Sequence, residues 1–218
     1  MNTSLERTLQ LTQLSGQAVS DLSPSFNFLP TTDHADGQYR LRRYSVVKLK
    51  QGRVEHLAAR QFVQADDINT FQGNVSRSFE TLEESILCSD GLREMCEVFK
   101  QANALSDEQE LEIHQIRIAA FEEETLVAPE GVHQDGFDHL AVIGIGRHNI
   151  EGGEFLVYRE QKDLPFLSMA LQQGEVAILA DSQLWHNARP IKAVKKDEQG
   201  YLDLFVLTAK EQTHAVHA

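Results

Sequence analysis

The chain has 218 residues, enough for one domain with a sizeable core. Hydrophobic residues make up 41% and charged residues 24%, an ordinary balance for a globular protein. Against 33 Asp and Glu stand only 20 Lys and Arg, and the net charge of -13 repels phosphate backbones and anionic lipid, which sets nucleic acid and membrane partners aside.

From Thr3 to Asp21, leucines recur at helix-like spacing (Leu5, Leu9, Leu11, Leu14), which predicts a helix. The stretch from Ser23 to Pro30, with a proline near each end, breaks it. Tyr39 to Lys50 reads as a strand through Tyr39, Leu41, Tyr44, Val46, Val47 and Leu49, between turns at Asp36-Gly37 and Gln51-Gly52. A second short strand is expected from Val54 to Leu57. Helical patterning returns from Leu82 to Ala104, with Asp90-Gly91 placed to break it in two. Cys88 and Cys96, eight residues apart in that stretch, read as reduced thiols and not as a disulfide framework.

From Glu112 the character changes. Ile113–Phe121, Leu140–Ile145, Phe155–Arg159, Glu175–Leu179 and Asp203–Ala209 are short apolar or alternating runs separated by Gly, Asp, Pro and Asn. Strands at this spacing predict an all-β barrel or sandwich. The expected organisation is one domain over 1–218, mainly β with N-terminal helices (α+β). A helix-rich part with short strands, about 1–110, packs on a barrel at about 111–210. No run approaches the length of a transmembrane helix, and the N-terminus lacks a basic segment followed by an apolar core, so cytoplasmic residence is expected.

Chemistry concentrates in Pro129–Gly136. Side chains at i and i+2 of a strand share a face, so His133 and Asp135 point the same way with Gln134 opposite. An imidazole and a carboxylate side by side suit two adjacent corners of an octahedral metal. A third ligand must come from elsewhere, and His186, fifty-one residues after Asp135 and just past an apolar strand, is the best candidate. Three ligands on one octahedral face leave two positions for a chelating co-substrate and one for O2, the arrangement of non-haem Fe(II) oxygenases. The residue types by themselves also allow a zinc hydrolase, which uses such ligands with a water.

Six blocks extend the case: Tyr39–Tyr44, Arg60–Gln64, His114–Arg117, Pro129–Gly136, Arg147–Glu154 and Trp185–Ile191. In this order, over roughly residues 35–210, the chain resembles the bacterial 2-oxoglutarate/Fe(II)-dependent dioxygenases that hydroxylate free L-amino acids, of the isoleucine dioxygenase type. The resemblance implies a double-stranded β-helix, a jelly-roll or cupin-like barrel. It implies His133, Asp135 and His186 as iron ligands and catalytic centre, with Fe(II), 2-oxoglutarate and O2 as cofactors. It also implies hydroxylation of a C–H bond while 2-oxoglutarate becomes succinate and CO2.

One departure stands out. Family members carry Arg-Asp on the last strand to hold the distal carboxylate of 2-oxoglutarate, and this chain has Leu202-Asp203. Arg189, three residues after His186, is the expected replacement, with Lys195 or Lys196 as alternatives; Arg117 and Arg147 are further candidates. Arg117 lies opposite Ile116 and Ile118, and a charge inside a barrel needs an anion. A second functional reading is a metal- and 2-oxoglutarate-binding stress or signalling protein without hydroxylase turnover; a third is a cupin-type hydrolase or isomerase. The expected partner is a small amino-acid substrate; a homodimer is compatible with the sequence, which does not fix the oligomeric state.

Overall fold

The computed structural model describes residues 8–62 and 76–211. In chain order these form β1 (Leu9–Gln13), α1 (Gly16–Leu22) and a 3-10 turn (Ser23–Phe28). There follow β2 (Arg40–Lys50), β3 (Arg53–His56), α2 (Glu84–Leu87), α3 (Asp90–Ala102), β4 (Glu110–Ala120) and β5 (His139–His148). The remainder is β6 (Ile150–Gly152), β7 (Phe155–Tyr158), β8 (Leu167–Met169), β9 (Glu175–Ala180), β10 (Trp185–Ala188), β11 (Ile191–Ala193) and β12 (Gly200–Ala209). A seven-stranded sheet runs β1-β9-β5-β12-β4-β2-β3, and smaller sheets are β10-β7-β8 and β11-β6. Every pairing is antiparallel. The result is a jelly roll whose large sheet draws on both halves of the chain.

Alternation along each strand sorts side chains between two cores. Ile116 and Ile118 of β4, Leu140 and Val142 of β5, and Leu202 and Leu204 of β12 join Phe155 and Val157 of β7 inside the barrel. Their neighbours Leu111, Ile113, Ala141, Ile143, Phe205 and Leu207 face the other way and meet the helices. There α3 buries Leu92, Met95, Cys96 and Phe99. Phe26 meets Phe205 edge-on, ring centroids 5.1 Å apart. Each fully buried side chain of this size contributes roughly 1.5–3 kcal/mol. Ser15 and Ser89 start α1 and α3 by accepting the N–H groups of Ala18 and Leu92 on their hydroxyls, both at 3.1 Å.

One irregularity matters for the site. Pairing of β12 with β5 steps from Asp203↔Gly146 to Leu204↔Gly144, so Ile145 is an extra residue on β5. Such a bulge reverses the parity of the strand beyond it. Before it the even-numbered Leu140 and Val142 face inward; after it the odd-numbered Arg147 does so, beside its partner Leu202.

The predicted helix over Thr3–Asp21 is corrected. Leu9–Gln13 is an edge strand paired with β9 (Leu9↔Leu179), and the helix begins at Gly16. An unpaired edge on β9 outweighs the local leucine spacing; residues 3–7 lie outside the described residues, as do 63–64 of the Arg60–Gln64 block. The short β6, β8, β10 and β11 have no period long enough to read. Cys88 and Cys96 are free thiols, the first exposed and the second buried. Among the described residues no helix is long and apolar enough to cross a membrane.

Candidate active site

His133 and His186 are cross-strand neighbours. Each donates its backbone N–H to the other's carbonyl at 2.9 Å, and their ring centroids lie 4.3 Å apart. His186 is held on β10, while His133 and Asp135 sit on an irregular segment and not on the strand expected from the spacing. The i, i+2 relation survives because the backbone stays extended at that one paired residue. Asp135 Oδ1 lies 3.7 Å from His133 Nε2, and its Oδ2 lies 3.4 Å from His186 Nε2. One ligand atom from each of the three residues falls within a cluster 4.8 Å across. Two ligand atoms on one ion, with bonds of about 2.1 Å, sit roughly 3–4 Å apart, so the donor set fits a single divalent metal. His133 donates Nδ1–H to the Gly131 carbonyl at 2.8 Å, which turns the lone pair of Nε2 toward the other two ligands.

Electrostatics agree with this grouping. Burial works against charge on His186, but hydrogen bonds to Asp135 and Asp181 outweigh it and push the imidazole up to about 9. Burial opposes charge on Asp135 too, yet His186 and then His133 hold it well below the usual carboxylate range. The site is thus built to keep Asp135 as a carboxylate.

Asp181 was not singled out from the sequence. It is 0% exposed, just past β9, and accepts the backbone N–H groups of Asp135 (3.1 Å), Gly136 (2.9 Å) and Phe137 (3.1 Å). Its Oδ1 also lies 3.2 Å from His186 Nε2. A buried carboxylate accepting three N–H groups fixes the segment that carries Asp135. An Asp closing an apolar strand five residues before a candidate ligand was the available signal.

The triad opens into a cavity of roughly 110 Å³ between the large sheet and β7–β10. Its walls include Ile116, Ile118, Phe155, Leu202 and Leu204, with four arginines: Arg40, Arg42, Arg77 and Arg147. Of the cations proposed for the co-substrate, Arg147 is among them, while Arg189 and Arg117 are not. Arg189 is 60% exposed and faces Glu154 at 3.8 Å, outside the barrel. Arg117 points outward, bonds Asp203 through Nε and Nη2 at 2.7 Å each, and stacks on Tyr201 at 4.0 Å. The expectation for both is corrected: strand parity puts Arg117 on the outer face, and Arg189 lies where β10 has ended.

Arg147 stands in the place Leu202 leaves open. It is the strand neighbour of Leu202 and donates to the carbonyls of Gly152 and Gly153. At Gly153 (φ +73°) a Cβ would lie 2.8 Å from Ile191, 3.2 Å from Arg147 and 3.3 Å from Leu202, so the backbone can approach only as glycine. Burial lowers the pKa of the guanidinium, opposed by Glu154.

A model of the family described as 2OG-Fe dioxygenase matches residues 23–208. The chain belongs to the 2OG-Fe dioxygenase family. This family uses Fe(II), 2-oxoglutarate and O2, and the His-Asp-His cluster is its metal site. The dioxygenase is similar to the crystal structure of a BsmA homologue from Methylobium petroleophilum PM1, with a TM-score of 0.74 at 26% identity over 89% of this chain and 81% of that one. It shares its fold with IDO from Bacillus thuringiensis (TM-score 0.74, 14% identity, 93% and 94% of the chains). The same holds for the Fe(II)/(alpha)ketoglutarate-dependent dioxygenase TqaL (TM-score 0.68, 11% identity, 97% and 86%). No curated protein matches the chain.

Proposed function

We propose that the chain hydroxylates a C–H bond of a free L-amino acid or a small derivative. The balance is one 2-oxoglutarate, one O2 and one substrate giving succinate, CO2 and the hydroxylated product. The observation that carries this reading is the enclosure of a His-Asp-His site and several cations in one small cavity. Fe(II) held by His133, Asp135 and His186 would supply the redox chemistry that couples O2 to oxidation of the co-substrate.

The residues of the chain do the rest. Arg147 offers a guanidinium to the distal carboxylate of 2-oxoglutarate, in the role that an arginine at Leu202 would have had. Asp181 keeps Asp135 in place, and the Gly131 carbonyl sets the tautomer of His133. Phe155, Leu171, Ile116 and Ile118 exclude water from the reacting region. Arg40, Arg42, Arg77 and Glu130 line the same cavity and give it both signs of charge, as a zwitterionic substrate requires. The alternative of a 2-oxoglutarate-binding stress or signalling protein without turnover drew its main support from Leu202; Arg147 beside it supports the hydroxylase reading instead.

The test is succinate release with Fe(II), 2-oxoglutarate and a panel of L-amino acids, with mass spectrometry for the gain of one oxygen. Coupled succinate and hydroxylated product are expected. Binding of 2-oxoglutarate with no oxidised product from any amino acid would sink the substrate assignment, and activity without 2-oxoglutarate would sink the reaction class.

A further inference from the structure

Arg42 is the third residue of β2, two residues from Arg40 and two from Tyr44, and pairs with Ile116 of β4. It is 6% exposed and lines the cavity that holds the metal ligands. Among the described residues no carboxylate, carbonyl or hydroxyl bonds its guanidinium. Its specific neighbour is the ring of Phe79, 5.2 Å away. The other arginines of this strand are matched. Arg40 has Asp36 at 3.6 Å and Glu130 at 3.9 Å. Arg43, on the opposite face, has Glu80 at 3.3 Å, Glu83 at 3.5 Å and the carbonyls of Thr81 and Phe28.

A buried guanidinium without a counter-charge is unfavourable, and a second cation aggravates it. Arg77 is that second cation, 3% exposed and 4.9 Å over the ring of Phe62 on the same wall. Burial, then Arg40 and Arg77, lower Arg42 to about 9 against the weaker pull of Asp36 and Glu130, so it stays charged at neutral pH. A fold carries such a group where a ligand relieves it. The co-substrate does not fill this need. Its distal carboxylate is matched by Arg147 on β5, and β5 is separated from β2 by β12 and β4, three strand spacings or about 14 Å. Cations this far apart on one sheet face call for two anions.

We propose that Arg42, with Arg77 beside it, anchors the carboxylate of the oxidised substrate, which is therefore a small carboxylic acid with an apolar body lying along Phe62, Ile116 and Val127. This inference rests on the reading of the chain as a 2-oxoglutarate-dependent hydroxylase and specifies its substrate class. A carboxylate fits better than a phosphate because the cavity is small and largely apolar, and one guanidinium fork binds a carboxylate bidentately.

The test is calorimetric titration of the Fe(II)- and 2-oxoglutarate-loaded protein without O2. The titrants are apolar L-amino acids and simple aliphatic acids, each paired with its primary amide. At least one acid is expected to bind roughly 100-fold more tightly than its amide. Arg42→Gln should cut that preference to a few-fold while 2-oxoglutarate affinity stays unchanged. Absence of any acid preference, its persistence in Arg42→Gln, or tighter binding of inorganic phosphate than of every carboxylate overturns the proposal. Ligand-free Arg42→Met gives an independent reading. Removing an unmatched buried charge should raise Tm, and a lower Tm would mean that Arg42 serves the fold, which also overturns it. If 2-oxoglutarate itself fails to bind, the reaction assignment falls, and the acid–amide comparison is then made on the metal-loaded protein alone.

Discussion

Arg117 on the outer face of the large sheet and Arg147 and Arg42 on its inner face are held in different ways. On the outer face Arg117 meets Asp203, its cross-strand partner, in a two-point pair capped by Tyr201. On the inner face, among the described residues, Arg147 bonds backbone carbonyls and Arg42 lies over an aromatic ring. The same side chain, on neighbouring strands and comparably screened from water, is therefore neutralised on one side and left charged on the other. The outer pair completes the fold without help. The inner cations face the cavity that holds the metal triad, where the proposed small anions would complete them.

This contrast can be broken from either side. The largest effect is expected at Arg147. Arg147→Gln should raise the KM for 2-oxoglutarate about 100-fold with a smaller change in kcat, because a charged pair made inside a barrel is lost. An unchanged KM would return the co-substrate to another cation. Next is Asp181→Asn, which keeps shape but weakens an acceptor for three N–H groups. It should lower stability by about 2–3 kcal/mol in denaturant titration and metal affinity about 10–100-fold in a chelator competition. Stability loss with unchanged metal affinity would show that Asp181 serves the fold alone.

The smallest effects sharpen the outer side. Arg117→Ala leaves Asp203, 3% exposed, without its partner and should destabilise the protein by about 1–3 kcal/mol with no change in the KM for 2-oxoglutarate. Arg189→Ala should change stability by less than about 0.5 kcal/mol and leave the same KM unmoved, as its contact with Glu154 is long and exposed. A raised KM in either variant would mean that the outer face reaches the co-substrate after all.

Much of this was legible in the residues. Alternation on β2, β4, β5 and β12 gave the strands, and it put Arg117 opposite Ile116 and Ile118. The His133–Asp135 spacing, with His186 after an apolar strand, assembled a ligand set that the fold does bring together. Other features were not legible. The leucines of Leu9–Gln13 fit a helix equally well, and only a free edge on β9 makes them a strand. His133 meets His186 by backbone pairing across fifty-three positions, a contact that no local period encodes. The proposed replacement for the arginine lacking at Leu202 turned on one residue. By parity Arg147 faces outward; the extra Ile145 turns it in. Sequence period decides which side chains share a face as long as the ladder is regular. Bulges, strand partners and buried counter-charges depend on what lies across the sheet, and for Arg147, Asp181 and Arg42 only the folded chain decides that.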